Sequence, residues 1–190
     1  MANVFFVTQG QTFDFECRDG YIWAPNPLSP ELRIFLSKGK GDKVFWQNVE
    51  LVKVDDVIIH HAGAINGGIS AISRAITDCY SAPITDELFA ISNMGIPGVG
   101  LWPPDGGRRV DCEYVELKKK MPIETFHDVI RRFKREKYSA FNRNCGVNQG
   151  YLYELEGPIA YSMIREAINL NPYLSGYEFI TNILKTLGRN

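Results

Sequence analysis

The sequence predicts an α+β fold, a small and mainly antiparallel curved sheet or barrel with helices packed around it. Two observations carry this. Short aromatic and β-branched runs at 3–8, 55–62, 68–76 and 109–117 read as strands. A helix-period stretch after Pro122 and two more helical stretches at the end of the chain supply the packing layer.

In chain order, "NVFFVT" ending before Gly10 is the opening strand, and a loop containing "YIWAPNP" follows. "SPELRIFLSKG" has helix punctuation, with Ser29 as N-cap, Pro30 in the first turn and Gly39 past the end. "DDVIIHHA" and "GISAISRAI" are two strands joined at "GAINGG", where Asn66-Gly67 is a hairpin signal. His60 and His61 adjoin on the first of these strands, so their side chains point to opposite faces and cannot share a metal. The segment 91–107 is long and rich in Gly and Pro and carries Trp102, which marks it as a functional loop. "RRVDCEYVEL" alternates as a half-buried strand. Ile123, Phe126, Val129, Ile130 and Phe133 then share one helix face, opposite a basic face. "NCGVNQGYLYEL" reads as loop then strand, and helices near 158–170 and 173–187 close a single domain over 1–190.

The chain has 190 residues, 45% hydrophobic and 23% charged, which suits a globular domain with a sizeable core and excludes disorder. A formal net charge of -1 gives no global attraction to nucleic acid, so any polyanion site must be a local patch. Four cysteines and three histidines lack paired spacing, so no metal or other cofactor is expected, and reduced thiols fit a cytoplasmic protein. The N-terminus has no signal-peptide pattern, and no run approaches the ~20 apolar residues of a membrane span.

Chemistry is sparse. There is no phosphate loop, nucleophile elbow, HExxH or kinase signature. Cys145 as nucleophile with His127 as base is the one hydrolase arrangement on offer, and a single Cys and His are weak grounds for it. The expectation is a binding protein, not an enzyme.

Ten of the 21 lysines and arginines fall between Arg108 and Lys137, starting beside the Trp102 loop. They include Arg108, Arg109 and the run Lys118, Lys119, Lys120, with Lys38 and Lys40 as outliers in "KGKGD". Any one of these cations reads more simply as a solvated surface charge. Together with aromatic residues they are what holding a phosphate backbone and a displaced base requires. Trp23 and Trp102 stand in proline-flanked loops, where a binding role is favoured over core packing. Trp46 in "KVFWQNV" divides evenly between core and site.

The ordered elements "VFFVTQG", "GYIWAP", "FWQNV", "DDVIIHHAGAINGGISAISRAI", "DCEYVEL" and "NRNCGVNQGYLYEL" resemble the EVE-type branch of the PUA-like superfold, which includes the YTH readers. The resemblance is strongest to DNA-recognition domains of McrB-type, modification-dependent restriction systems. It covers residues 1–155 and leaves out the helical extension from Pro158. It implies a barrel that accepts one flipped, methylated base between aromatic walls. Trp23 in "GYIW" matches the first wall and Trp102 the second, with Trp46 and Tyr21 nearby. Thr8, Gln9 and Gln11 match the positions that meet the base edge, and Ala24 stands where many readers have serine. Asn148 and Gln149 in "GVNQGYL" are further loop candidates.

The implied partner is methylated double-stranded DNA, with N6-methyladenine favoured and modified cytosine next. A downstream AAA+ GTPase motor and a nuclease subunit complete the implied system. RNA binding through the same fold, and the cysteine hydrolase, are the alternatives.

Overall fold

The computed structural model describes residues 2–25, 48–63, 67–93, 106–148 and 150–189. The architecture is α+β. Its strands are β1 (Val4–Thr8), β2 (Tyr21–Pro25), β3 (Val57–His61), β4 (Ile69–Ala75), β5 (Tyr80–Ala82), β6 (Gly107–Met121) and β7 (Leu152–Glu154). Among the described residues the α-helices are α1 (Phe13–Asp19), α2 (Asp86–Asn93), α3 (His127–Phe133), α4 (Gly157–Leu170) and α5 (Glu178–Leu187). The strands run in the order β2-β6-β4-β3-β1-β7, and β5 pairs with the start of β6. β1 and β3 are parallel and every other pairing is antiparallel.

Period-2 alternation divides the side chains of β1 between two cores. Phe5 and Val7 of β1 join Ile22, Ala24, Ile58, Val110 and Leu152 inside the curl of the sheet. Val4 and Phe6 face the other way, onto a larger core with Ile59, Ile72, Val115 and the helix residues Ile159, Met163, Ile164 and Ile180. Residues of β2 and β7, at opposite ends of the strand order, meet in the inner core, which is how the sheet curls.

The "YIWAP" stretch is not a loop. It is strand β2, buried along its whole length. Pro25 is tolerated because β2 is terminal in the strand order, where a missing backbone donor costs no ladder bond. The segment ahead of it is helix α1, which ends on Gly20 in the left-handed conformation (φ 69°), with its N–H bonded to the Glu16 carbonyl.

The lysine run sits on an irregularity of β6. Ala71 pairs with Glu116 and Ile69 with Met121, so 117–120 bulge out opposite Ser70. The helical extension fills this gap. The Asn171 side chain accepts from the Lys119 N–H (2.8 Å) and donates to the Lys119 carbonyl (3.0 Å). Tyr173 Oη donates to the Glu116 carbonyl (2.5 Å) and accepts from the Lys118 N–H (3.1 Å). The C-terminal segment therefore packs on the sheet and completes its hydrogen bonding. No helix among the described residues is long and apolar enough to cross a membrane.

Candidate functional site

Glu16 is 1% exposed, an uncommon position for a carboxylate. It survives there because four donors converge on it. Oε1 accepts from Tyr151 Oη (2.5 Å) and the Trp23 N–H (2.9 Å), and Oε2 accepts from Thr12 Oγ1 (2.7 Å) and Gln9 Nε2 (2.8 Å). These donors come from β2, from the turns after β1, and from the residue just ahead of β7. Burial pushes the carboxyl up to about 7, against the downward pull of those hydrogen bonds.

Behind Glu16 a polar chain runs into the barrel. Gln9 is fully buried, and because its amide nitrogen serves Glu16, its oxygen accepts from His60 Nδ1 (2.7 Å). His60 Nε2 is then left to accept from Ser73 Oγ (2.7 Å). Burial holds His60 down at about 3, so it is a neutral relay. The Tyr114 ring lies 4.3 Å from the imidazole, and its hydroxyl donates to the Tyr21 carbonyl.

In front of Glu16 lies a cavity of about 160 Å³, lined among the described residues by Thr8, Gly10, Thr12, Glu16, Trp23, Leu88 and Tyr151. Its size is close to that of the ~150 Å³ engineered cavity that takes up benzene. Thr8 lines this cavity, and its Oγ1 is buried with no hydrogen-bond partner among the described residues. Buried hydroxyls are normally satisfied, which makes this one an exception.

Solved structures with a similar chain path include a hypothetical protein from Leishmania major, with a TM-score of 0.50, 10% identity, and coverage of 89% of this chain and 96% of that one. Human THYN1, solved in complex with DNA containing 5-methylcytosine, has a TM-score of 0.48, 10% identity, and coverage of 87% of this chain and 98% of that one. A Pseudomonas putida protein has a TM-score of 0.46, 10% identity, and coverage of 86% and 98%. The likeness is one of fold. No family model matches the sequence, and no curated protein matches it.

The sequence-predicted residues divide. Thr8 and Trp23 line the cavity. Trp23 does so as a buried wall, 3% exposed, and not as an open-loop ring. Its indole N–H donates to the Ala82 carbonyl (3.2 Å), and its ring packs with Tyr21, Ile84 and Leu88. The backbone of β6 lies against that ring so closely that a Cβ on Gly107 would come within 2.1 Å of it. Gln9 acts one layer back, on Glu16 and His60. Tyr21 and Ala24 are buried away from the cavity lining, Tyr21 under the Arg109 guanidinium (4.2 Å) and Ala24 in the inner core. Asn148 is structural, donating to the Ser139 carbonyl (2.9 Å). Trp46, Trp102, Lys38, Lys40 and Gln149 lie outside the described residues, as do the helix expected at 29–39 and most of the 91–107 loop.

The cations are not one free patch. Arg108 binds Glu50 (2.9 Å) and Ser81 (2.7 Å), and Arg109 binds Asp111 (2.7 Å). Lys118, Lys119 and Lys120 are exposed at the far end of β6, on the order of 30 Å along an extended strand from Arg109. The hydrolase arrangement also fails, because Cys145 is 1% exposed and its Sγ meets the His127 backbone carbonyl (3.6 Å), not the imidazole. Reading the sequence did not single out Glu16, Thr12 or Leu88. Tyr151 was in view only as part of "GVNQGYL".

Proposed function

We propose that this chain is a non-enzymatic DNA reader of PUA-like type that takes one extruded, modified base into the Thr8–Trp23 cavity. The observation that carries the reading is the cavity of about 160 Å³ beside Trp23, lined also by Thr8, whose buried hydroxyl has no partner among the described residues. That volume suits one heterocycle and leaves the sugar and phosphate outside. The indole supplies an apolar face for the ring, and the hydroxyl supplies a directional contact for its edge. N6-methyladenine is the first candidate and modified cytosine the next, because both keep an exocyclic N–H while adding a methyl worth ~0.8 kcal/mol when buried.

By the resemblance of its motifs, the chain serves as the targeting module of a McrBC-type restriction system, passing modified DNA to a GTP-driven motor and a nuclease. Phosphate contacts fall to Arg108 and Arg109, which exchange Glu50 and Asp111 for the DNA backbone.

The test is a titration of matched duplexes carrying N6-methyladenine, 5-methylcytosine or no modification, with single-stranded RNA as a further arm. Tighter binding of a modified duplex by the wild-type protein, lost on Leu88→Trp, which fills the cavity, supports the reading. Equal affinity for all duplexes, unchanged by Leu88→Trp, overturns it.

A further inference from the structure

The helical layer carries a second concave surface, which shares no lining residue with the Thr8–Trp23 cavity. It is a groove of about 680 Å³ formed by α3, α4 and the end of α5, with Val129, Phe133, Tyr161 and Leu187 among its apolar lining. By helix period Phe133 belongs to the same face as Phe126 and Ile130. Those two are 2% and 0% exposed, yet Phe133 is 39% exposed. Exposed apolar residues scattered singly are ordinary, but here Phe133 is continuous with the other apolar residues of one groove.

The charges of the groove are one-sided. Its acidic lining residue, Asp128, is bound to Arg131 (3.2 Å). Arg132 and Arg165 also line the groove, and neither has a carboxylate partner among the described residues. Each lies over a ring instead, Arg132 over Phe133 (5.1 Å) and Arg165 over Tyr161 (5.5 Å). A guanidinium keeps its five N–H donors in its own plane, so stacking leaves them free at the edge for a carboxylate. The same stacking covers ring faces that a base would need, which argues against single-stranded nucleic acid as the occupant.

We propose that this groove docks an acidic peptide segment of another protein, one that carries a large aliphatic or aromatic side chain flanked by Asp or Glu. The apolar side chain buries against Val129, Phe133 and Leu187. The flanking carboxylates pair with the open edges of Arg132 and Arg165, which supplies the counter-charge that the chain itself does not.

The test pans a phage-displayed library of random peptides against the wild-type chain. Selected peptides are then titrated by fluorescence anisotropy against wild type, Arg132→Glu/Arg165→Glu and Phe133→Ser. All three positions are exposed, so both variants should fold, with melting temperatures near wild type. The expected peptides combine Asp or Glu with a large apolar residue and lose about tenfold or more in affinity on either variant. Enriched peptides without acidic residues overturn the proposal, as does a change of less than about twofold in the arginine variant, or a library from which nothing is enriched. Two other occupants are measured alongside. A dimer in sedimentation that dissociates on Phe133→Ser assigns the groove to a second copy of the chain, and oligothymidine binding lost in the arginine variant assigns it to nucleic acid. Either result overturns the proposal.

Discussion

Thr8 and Glu16 line the same cavity in opposite hydrogen-bonding states: the Thr8 hydroxyl has no partner among the described residues, while the Glu16 carboxylate has four. Thr8→Val keeps the shape and removes the orphan, so folding stability should hold or rise, since an unsatisfied buried hydroxyl costs about 1–3 kcal/mol. Base binding should weaken by about 0.5–1.5 kcal/mol, the net worth of one hydrogen bond. Chemical denaturation and a duplex titration on the same sample check both signs. A stability loss with unchanged binding would place Thr8 in the core only.

Trp23 is a buried core ring as well as a cavity wall, and its removal should show mainly as instability. At 3% exposure, with its ring against Tyr21, Ile84 and Leu88, Trp23→Ala should cost about 3–5 kcal/mol of folding free energy. That exceeds the ~1–3 kcal/mol expected from one lost stacking partner. The informative variant is Trp23→Phe, which keeps an aromatic wall but gives up the Nε1 bond to Ala82. It should fold, with a melting temperature below wild type, and retain part of the base affinity.

Glu16 and His60 should leave opposed marks on the pH dependence of stability. Glu16 moves from its usual 4.5 to about 7, so the folded protein keeps a proton that the unfolded chain loses in that window, and stability falls as pH rises through it. His60 drops from 6.5 to about 3, so the unfolded chain is the one holding the proton there, and stability rises with pH over that range. Each slope is about 1.4 kcal/mol per pH unit, and the two offset one another between 4.5 and 6.5. Urea unfolding of Glu16→Gln should therefore gain stability relative to wild type as pH climbs from 4.5 to 7 and run parallel to it above. Parallel curves throughout would mean that Glu16 titrates alike in both states.

Much of the sheet was legible because its signals are local. Short aromatic and β-branched runs marked β1, β3 and β4, alternation marked the first half of β6, and the Asn66-Gly67 pair signalled a hairpin between β3 and β4. What was not legible depends on closure of the fold. "YIWAP" reads as a loop because proline argues against a central strand, and only the strand order shows that β2 is terminal. Glu16 lies between Asp14 and Arg18, so it reads as surface charge. Its burial follows from donors up to 135 residues away in sequence. Thr8 was in view by motif position, but its burial without a partner among the described residues is visible only in the packed fold.

The arginines of β6 provide the last prediction. Arg108 is held by Glu50 at 2.9 Å, with the two side chains 25% and 48% exposed, so the pair contributes little to stability, under about 1 kcal/mol. It does lower the positive potential that a phosphate would meet. Glu50→Gln should leave the melting temperature nearly unchanged, tighten binding to modified and plain duplex alike, and steepen the salt dependence by up to about one phosphate contact. Neutralising Lys118, Lys119 and Lys120 together should change DNA affinity less than Arg108→Ala does, because the bulge that carries them sits against Asn171 and Tyr173 at the other end of β6. Affinity measured at several salt concentrations separates the two sets. A larger loss from the lysine variant would mean that DNA crosses the bulge instead of the β2–β6 end.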